Sequence, residues 1–228
     1  IRVVILVEQL DEHVRTDLME RIGEHWDDGD IILRSGSPLN GAHLQRVALS
    51  AAAAILIPGG TERDKDPSLR DAAAVKTLLS VAAHPGLLDG TMPPRVVAEL
   101  HDARLAAIVE RAHPGMMELL PGDTMVARLM AQNLRHHGLS WVLDELLAFK
   151  RGNEIHYPEV PGVVGETFAD VARRLQGGVA IGLVRPVGRS YDPLLNPDAA
   201  ERIRATDRLV VITRARQDVK LGPPLDPL

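Results

Sequence analysis

The first half of the chain alternates short apolar runs with longer stretches in which apolar residues recur every three or four positions. The run Val3–Val7 is continuous and β-branched, which is typical of a strand buried on both faces of a parallel sheet. In the stretch that follows, Val14, Leu18 and Ile22 recur every four residues with charged residues between them, as one buried helix face requires. This pattern predicts a β-α unit.

The same alternation continues to about residue 120. Asp66 followed by Pro67 is typical of a helix N-cap and first turn, and the apolar face behind it continues to Ala82. The other elements predicted here are strands at 31–33, 53–57, 95–98 and 116–120, and helices over 39–49 and around Leu105, Ile108 and Val109. Repeated β-α units predict a Rossmann-like, doubly wound parallel sheet.

A pair of helices is predicted next. Asp123 can cap the first helix and Ser140 the second, which continues to Leu147, while Gly138 suits the left-handed conformation at the end of the first. Both helices carry few basic residues, so a DNA-reading role is not expected. Packing or association between subunits is the expected role.

The composition changes near residue 150, where proline and glycine become frequent. Thr167 is predicted to cap a helix, strands are predicted at 179–184 and 209–212, and Asn196-Pro197 predicts a short helix between them. The predicted domains are residues 1–150, a Rossmann-like domain that includes the helix pair, residues 151–221, a small α+β module, and residues 222–228, a flexible tail.

Composition narrows the possible functions. The chain has no cysteine, so it offers no thiol nucleophile or thiolate metal site, and its net charge of −5 argues against nucleic acid as a partner. Its longest nearly apolar stretch, over residues 47–57, is about half the length needed to cross a bilayer. The chain enters a strand almost at once without an initial methionine, and we expect it to be part of a longer protein.

Ligands of doubly wound sheets bind outside the carboxyl ends of the strands, so the residues that follow each strand are the candidates. They are Glu8 after the first strand, Arg34, Ser35 and Gly36 after the second, and Gly59, Gly60 and Thr61 after the third. A carboxylate can accept hydrogen bonds from a ribose diol, and glycines let a ligand approach the backbone. Each group also has an explanation that needs no ligand. Glu8 can be a solvated carboxylate, the residues after the second strand can form a capped turn, and those after the third can form a tight loop.

Two carboxylates follow the fourth strand. Glu99 and Asp102 can bind a cation, but acidic residues before a helix also favour the helix dipole, and no metal-binding residues are assigned. The sequence contains no GxGxxG, no GxxxxGKS/T and no GxSxG motif. No catalytic residue can be named, and we expect that the chain is not an enzyme.

Segments of the chain resemble a known family. Residues 4–8, 34–39 and 54–57 follow one another as in the RCK region of CASTOR/POLLUX-type ion channels and their bacterial relatives, and residues 165–168 and 206–212 are similar to the C-terminal module of TrkA/RCK proteins. Two features differ. The family's domain begins with one more strand and its glycine-bearing turn, and Thr206 stands where the family has glycine before the aspartate.

The resemblance implies a regulatory domain on the cytoplasmic side of a cation channel of the potassium type. In such channels RCK units form a homo-oligomeric ring beneath the pore segments, and a small ligand or ion biases opening. The helix pair around Gly138 would join subunits, and membrane-spanning segments are expected upstream of Ile1. The cofactor is unknown, with Ca²⁺ and NAD or another nucleotide as candidates. The alternatives are an NAD-linked oxidoreductase or other nucleotide-binding protein, which fold analogy alone permits, and a purely structural oligomerisation module.

Overall fold

The computed structural model describes residues 2–59, 67–88, 94–105, 109, 117–148, 152–188 and 190–223. Packing divides the chain into two compact units, Ile1–Val126 and Ala127–Leu228. This division by packing falls elsewhere than the domain boundary predicted near residue 150, which stays a prediction.

Five strands form the framework of the first unit. They are β1 (Val3–Val7), β2 (Ile31–Ser35), β3 (Ala54–Ile57), β4 (Arg95–Leu100) and β5 (Met117–Pro121). β1 pairs with β2, and β4 lies between β3 and β5; all three pairings are parallel. The predicted parallel α/β architecture is therefore confirmed. Within the described part of the chain, β1 and β3 each pair on one side only, and Leu56 of β3 is 75% exposed.

Helices follow the strands in the predicted order. They are α1 (Glu12–Ile22), α2 (Gly41–Arg46), α3 (Pro67–Ala82), α4 (Pro85–Leu88) and α5 (Gly122–Arg135). Asp11 caps α1 by accepting the Val14 N–H at 2.8 Å, and Asn40 caps α2 by accepting the Ala42 N–H at 2.9 Å. Asp66, the predicted cap of α3, lies outside the described residues. So does Ile108; of the helix predicted around it, the structure describes a 3₁₀ turn at Ala103–Leu105 and then residue 109.

The core of the first unit lies between α3 and the three-stranded sheet. Leu78 and Val81 of α3 are 1% and 2% exposed, and they belong to one apolar cluster with Val96, Ala98 and Leu100 of β4. Because β4 is the central strand and its alternate side chains are buried, its backbone is fixed on both sides.

The second unit is built on an antiparallel sheet. Its elements after α5 are α6 (Leu139–Leu147), β6 (Glu154–His156), α7 (Phe168–Arg174), β7 (Leu175–Gln176), β8 (Val179–Val187), β9 (Ser190–Leu195), β10 (Arg208–Thr213) and β11 (Lys220–Leu221). The sheet order is β6-β10-β8-β9, and β7 pairs with β11. Val171 of α7 packs with Leu183 and Val211 in its core.

Four local predictions can be compared with the helix ends. Thr167 caps α7 as predicted, by accepting the Asp170 N–H. Gly138 has the predicted positive φ, 89°, but it occupies the N-cap position of α6. Ser140 is therefore inside the helix and is not its cap; its N–H donates to the side chain of Asn133 at 3.1 Å. Asp123 is likewise inside α5, because that helix begins at Gly122.

The prediction of a short helix at Asn196-Pro197 was wrong. Asn196 has a φ of 47°, a left-handed conformation, and its N–H donates to the carbonyl of Ile181 at 2.8 Å. This turn ends β9 and sends the chain into a non-helical segment, where the Asp198 side chain accepts the Ala200 N–H. At the other end of the module, Gly222 is hydrogen-bonded to Arg174 in both directions, and residues 224–228 lie outside the described part.

Candidate functional site

The carboxyl ends of β1 and β2 bring one set of the predicted residues together. Val7 pairs with Ser35 across the ladder, and the Gly36 N–H donates to the Val7 carbonyl at 2.8 Å. Glu8, the next residue of the chain, therefore follows β1 at the point where Gly36 follows β2. Glu8 and Arg34 are both exposed, and the Arg34 guanidinium donates to the carbonyl of Leu33 at 3.1 Å. An exposed carboxylate and an exposed guanidinium thus lie at this end of the sheet, and the guanidinium already donates one hydrogen bond to the backbone.

The turn after β2 is held in shape by α2. The Ser37 N–H donates to Nδ1 of His43 at 3.0 Å, and the Arg46 guanidinium donates to the Ser35 carbonyl. Gly36 has a φ of 151°, and a Cβ there would lie 2.7 Å from Nδ1 of His43. The turn therefore requires glycine. Sequence reasoning missed His43 and Arg46, although their spacing of three residues puts them on the same side of a helix.

The second set lies at the carboxyl end of the three-stranded sheet. The Gly59 N–H donates to Oε2 of Glu99 at 3.0 Å, and Glu99 is half-buried. On the other side of the same carboxylate, a Cβ at Gly122 would lie 3.1 Å from Oε1. Gly60 and Thr61, the other predicted residues of this set, lie outside the described residues.

A buried carboxylate supports the turn that follows β4. Asp71 of α3 is fully buried and accepts hydrogen bonds from the N–H groups of His101 and Asp102 and from the His101 ring. Burial alone raises the pKa of Asp71, but these hydrogen bonds outweigh it and leave the pKa below the usual value. The turn is thus fixed by a charged acceptor beneath it.

The cation site considered for Glu99 and Asp102 finds no support from the geometry. Asp102 forms an exposed pair with Arg104 at 2.7 Å, and Glu99 is held by Gly59. Hydrogen bonds from Arg104 lower the pKa of Asp102. In the part of the chain that the structure describes, His, Asp and Glu side chains form no group of three or more suited to a metal ion.

A groove of about 470 Å³ adjoins the first set of residues. Arg34 of β2 is among its lining residues, and Leu10, Trp26 and Leu33 give it apolar surface. The indole N–H of Trp26 donates to Asp28 at 3.1 Å.

Of the described helices, none combines the length and the apolar character that crossing a bilayer demands.

Comparison with solved structures defines the class of fold. The structure of the human SLO3 gating ring matches this chain with a TM-score of 0.69 at 18% sequence identity, over 95% of this chain and 40% of that one. The chain therefore has the Rossmann-like RCK fold, as the sequence predicted.

Sequence comparison identifies the more particular relatives. Residues 123–226 match the family described as Castor and Pollux, part of voltage-gated ion channel. The probable ion channel POLLUX of Oryza sativa subsp. japonica is 28% identical over 210 residues, which cover 92% of this chain and 21% of that protein. The ion channel CASTOR of Lotus japonicus is 28% identical over 182 residues, covering 80% of this chain and 20% of that protein. The resemblance to CASTOR/POLLUX-type ion channels is thereby confirmed, and the chain spans about a fifth of the length of these relatives.

Proposed function

We propose that this chain is the ligand-sensing regulatory domain of a cation channel. The observation that carries the proposal is the turn at residues 35–37, which His43 and Arg46 hold in a shape that only glycine at position 36 permits. A turn fixed in this way before a ligand arrives loses little entropy on binding. It lies at the end of two parallel strands, where ligands of such sheets bind.

The groups at this turn favour a nucleotide such as NAD over a calcium ion. Glu8 can accept hydrogen bonds from a ribose diol, while Arg34 can pair with a phosphate. Ca²⁺ needs six to eight oxygen ligands, and the positive charges of Arg34 and Arg46 beside the turn repel a cation. An anionic nucleotide fits both the donors and the charge.

A ligand gates a channel only through different affinities for two conformations of the assembly. Homo-oligomeric assembly is therefore part of the proposal, and the helix pair is the surface we assign to it. In the second unit, Met130 and Leu134 of α5 and Trp141 and Leu147 of α6 are exposed apolar side chains. The other expected partner is the set of pore segments on whose cytoplasmic side the domain would lie.

Thermal unfolding with NAD, ATP and CaCl₂ tests the proposal on the 228-residue chain. A nucleotide at one hundred times its Kd stabilises the fold by about 2.7 kcal/mol, which is about 5 to 10 °C in Tm for a chain of this size. Glu8→Gln and Arg34→Met should each reduce the shift, because each removes one direct contact. Asp17→Asn, which changes an exposed carboxylate on α1, is the matched control and should keep the shift.

The outcomes separate the alternatives. A Tm shift with CaCl₂ but with neither nucleotide would show that the ligand is calcium and not a nucleotide. No shift with any of the three probes would contradict ligand sensing at this turn and leave a structural oligomerisation module. Loss of the shift in Asp17→Asn as well would show that the losses in Glu8→Gln and Arg34→Met are not specific to this turn, and a full shift in Glu8→Gln and Arg34→Met would show that binding occurs elsewhere.

A further inference from the structure

A single carboxylate fills the space between two strand ends of the first unit. Oε2 of Glu99 accepts the Gly59 N–H at 3.0 Å, just beyond β3. Oε1 faces Gly122, the first residue of α5, just beyond β5. Because β4 lies between β3 and β5, Glu99 reaches the end of each neighbouring strand with one of its oxygens.

Both neighbours are glycines, and a side chain at either position would crowd the carboxylate. A Cβ at Gly59 would lie 3.0 Å from Cδ and Oε2 of Glu99, and a Cβ at Gly122 would lie 3.1 Å from Oε1. Both separations are shorter than the usual contact between non-bonded atoms, so a methyl group at either position displaces the carboxylate.

The backbone of Glu99 cannot absorb that displacement. Its neighbours Ala98 and Leu100 are 0% and 1% exposed, and Glu99 itself pairs with Leu120 in the ladder. The side chain must therefore move instead, and a push from one glycine is passed to the other.

The position also matters electrostatically. The start of α5, a helix of 14 residues, presents unpaired N–H groups and the positive end of the helix dipole. A carboxylate beside Gly122 is stabilised there, so Glu99 is attracted to α5 while it holds the Gly59 N–H.

We propose that Glu99 is a positioning residue that couples the turn at Gly59 to the start of α5. A ligand whose anionic oxygen accepts the Gly59 N–H competes with Glu99 for that donor, and the displaced carboxylate alters the first turn of α5. The displacement of Glu99 by a ligand rests on the proposed ligand-sensing function. The coupling between Gly59 and α5 through Glu99 does not need a ligand. α5 begins in the first compact unit, and its residues from Ala127 onward belong to the second.

Amide hydrogen exchange of the 228-residue chain, measured by NMR without ligand, tests the coupling. Gly122→Ala should speed exchange of the Gly59 amide about tenfold, because the methyl group displaces the acceptor of that N–H. Glu99→Ala should speed exchange at Gly59 and also at residues 126–129, whose hydrogen bonds close the first turn of α5. Glu99→Gln keeps an oxygen acceptor and should retain most of the protection at Gly59.

The double variant Glu99→Ala, Gly122→Ala decides whether the effect passes through Glu99. With the carboxylate absent, Gly122→Ala should leave exchange at Gly59 at the rate of Glu99→Ala alone. The same further increase in both backgrounds would overturn the proposal, and so would unchanged exchange at Gly59 in Gly122→Ala. If Gly122→Ala does not fold, Gly59→Ala tests the coupling in reverse: faster exchange at 126–129 supports it, and unchanged exchange there overturns it.

A second experiment, with added ligand, distinguishes the role of Glu99 from the proposed ligand-sensing function. NAD is added to the wild type, and both Tm and exchange at residues 126–129 are recorded. Coupling in the variants without any Tm shift would support Glu99 as a positioning residue and count against nucleotide sensing. A Tm shift without coupling in the variants would do the opposite.

Discussion

The fully buried carboxylate of Asp71 accepts the backbone N–H of His101 at 2.9 Å and lies 2.9 Å from Nδ1 of the same residue. It also accepts the Asp102 N–H at 2.7 Å. One side chain of α3 thus satisfies three donors of the turn that ends β4, and the turn carries the chain away from the edge where Glu99 lies.

Asp71→Ala should lower the free energy of unfolding by about 2 to 4 kcal/mol, because it leaves buried N–H groups without an acceptor. Urea unfolding at pH 7 measures the loss. Asp17→Asn is the control, since Asp17 forms an exposed pair with Arg21 within α1 and should cost less than about 0.5 kcal/mol. Equal losses in the two variants would contradict the role of Asp71.

The pKa of Asp71 predicts how this contribution depends on pH. The pKa is lowered in the folded state despite burial, so the ionised carboxylate stabilises the fold above its unfolded pKa of about 4. The contribution is lost as the pH falls through the lower, folded pKa. The stability gap between wild type and Asp71→Ala should therefore narrow below about pH 4 in urea titrations. A gap that stays constant down to pH 2 would show that the charge does not matter.

Gly36→Ala should cost about 1 to 3 kcal/mol, because the new methyl group meets His43 and the backbone has a positive φ. His43→Ala removes the obstructing ring, so the double variant should be more stable than the sum of the two losses predicts, by about 0.5 kcal/mol or more. Gly41→Ala is the matched control: a Cβ there has no neighbour within 4 Å. Thermal and urea unfolding of the four variants measure this, and strict additivity would argue against the contact.

In the second unit, Asp207→Asn should cost about 3 to 5 kcal/mol, because Asp207 is fully buried and accepts two bonds from Arg185, each of 2.8 Å. Burial raises the pKa of Asp207, but the hydrogen bonds from Arg185 and Arg204 lower it overall, so this contribution also declines in acid. Glu201→Gln changes the more exposed partner of Arg185 and should cost about 1 kcal/mol or less. Chemical unfolding of both variants at pH 7 tests the ranking; the reverse order would refute it.

The association surface is tested by charged residues on α6. Trp141 and Leu147 are 79% and 80% exposed, whereas Leu146, which lies between them on the same helix, is half-buried. Trp141→Glu with Leu147→Glu should therefore leave the fold intact and weaken self-association by about 2 kcal/mol or more, because it buries unpaired charge at the contact. Sedimentation velocity measures the change.

Leu146→Glu serves as the comparison for this pair, because its partly buried position predicts loss of stability. A folded double variant with an unchanged oligomer would place the contact on another surface. Unfolding of the double variant would mean that Trp141 and Leu147 belong to the protein's own core.

Local sequence patterns were enough to predict most of the strands and helices. The apolar runs at Val3–Val7 and 95–98 predicted parallel strands correctly. The expectation that Val3–Val7 is buried on both faces was wrong, because Val3 and Val4 are 46% and 41% exposed. The cap at Thr167 was also predictable, since a cap and its acceptor are three residues apart.

Predictions that depended on competition between neighbouring residues were less secure. Ser140 is a good cap by type, but Gly138 starts the helix first, and Asn133, seven residues away, takes the Ser140 N–H. Asn196 followed by proline suited a helix start equally well, but a hydrogen bond to Ile181 of β8 fixed it as a left-handed turn. Tertiary contacts decided both cases.

Contacts between residues distant in the sequence also limited what could be predicted of the candidate site. Strand ends were predictable, and Glu8, Ser35 and Gly36 do meet at one sheet end. The role of Glu99 was not predictable, because it depends on a contact with a residue 40 positions away. Its sequence neighbours suggested either a cation ligand or a carboxylate that favours the dipole of a following helix.

The fit of Glu99 between two glycines has an evolutionary consequence. A long acidic side chain at position 99 is crowded by a side chain at 59 or 122, while a short one at 99 removes the crowding at both. Among related chains, the three positions should therefore change together, although they are far apart in sequence. A lineage that replaced Glu99 by a small residue would lose the selection for both glycines, and would regain the acidic residue more easily after restoring them.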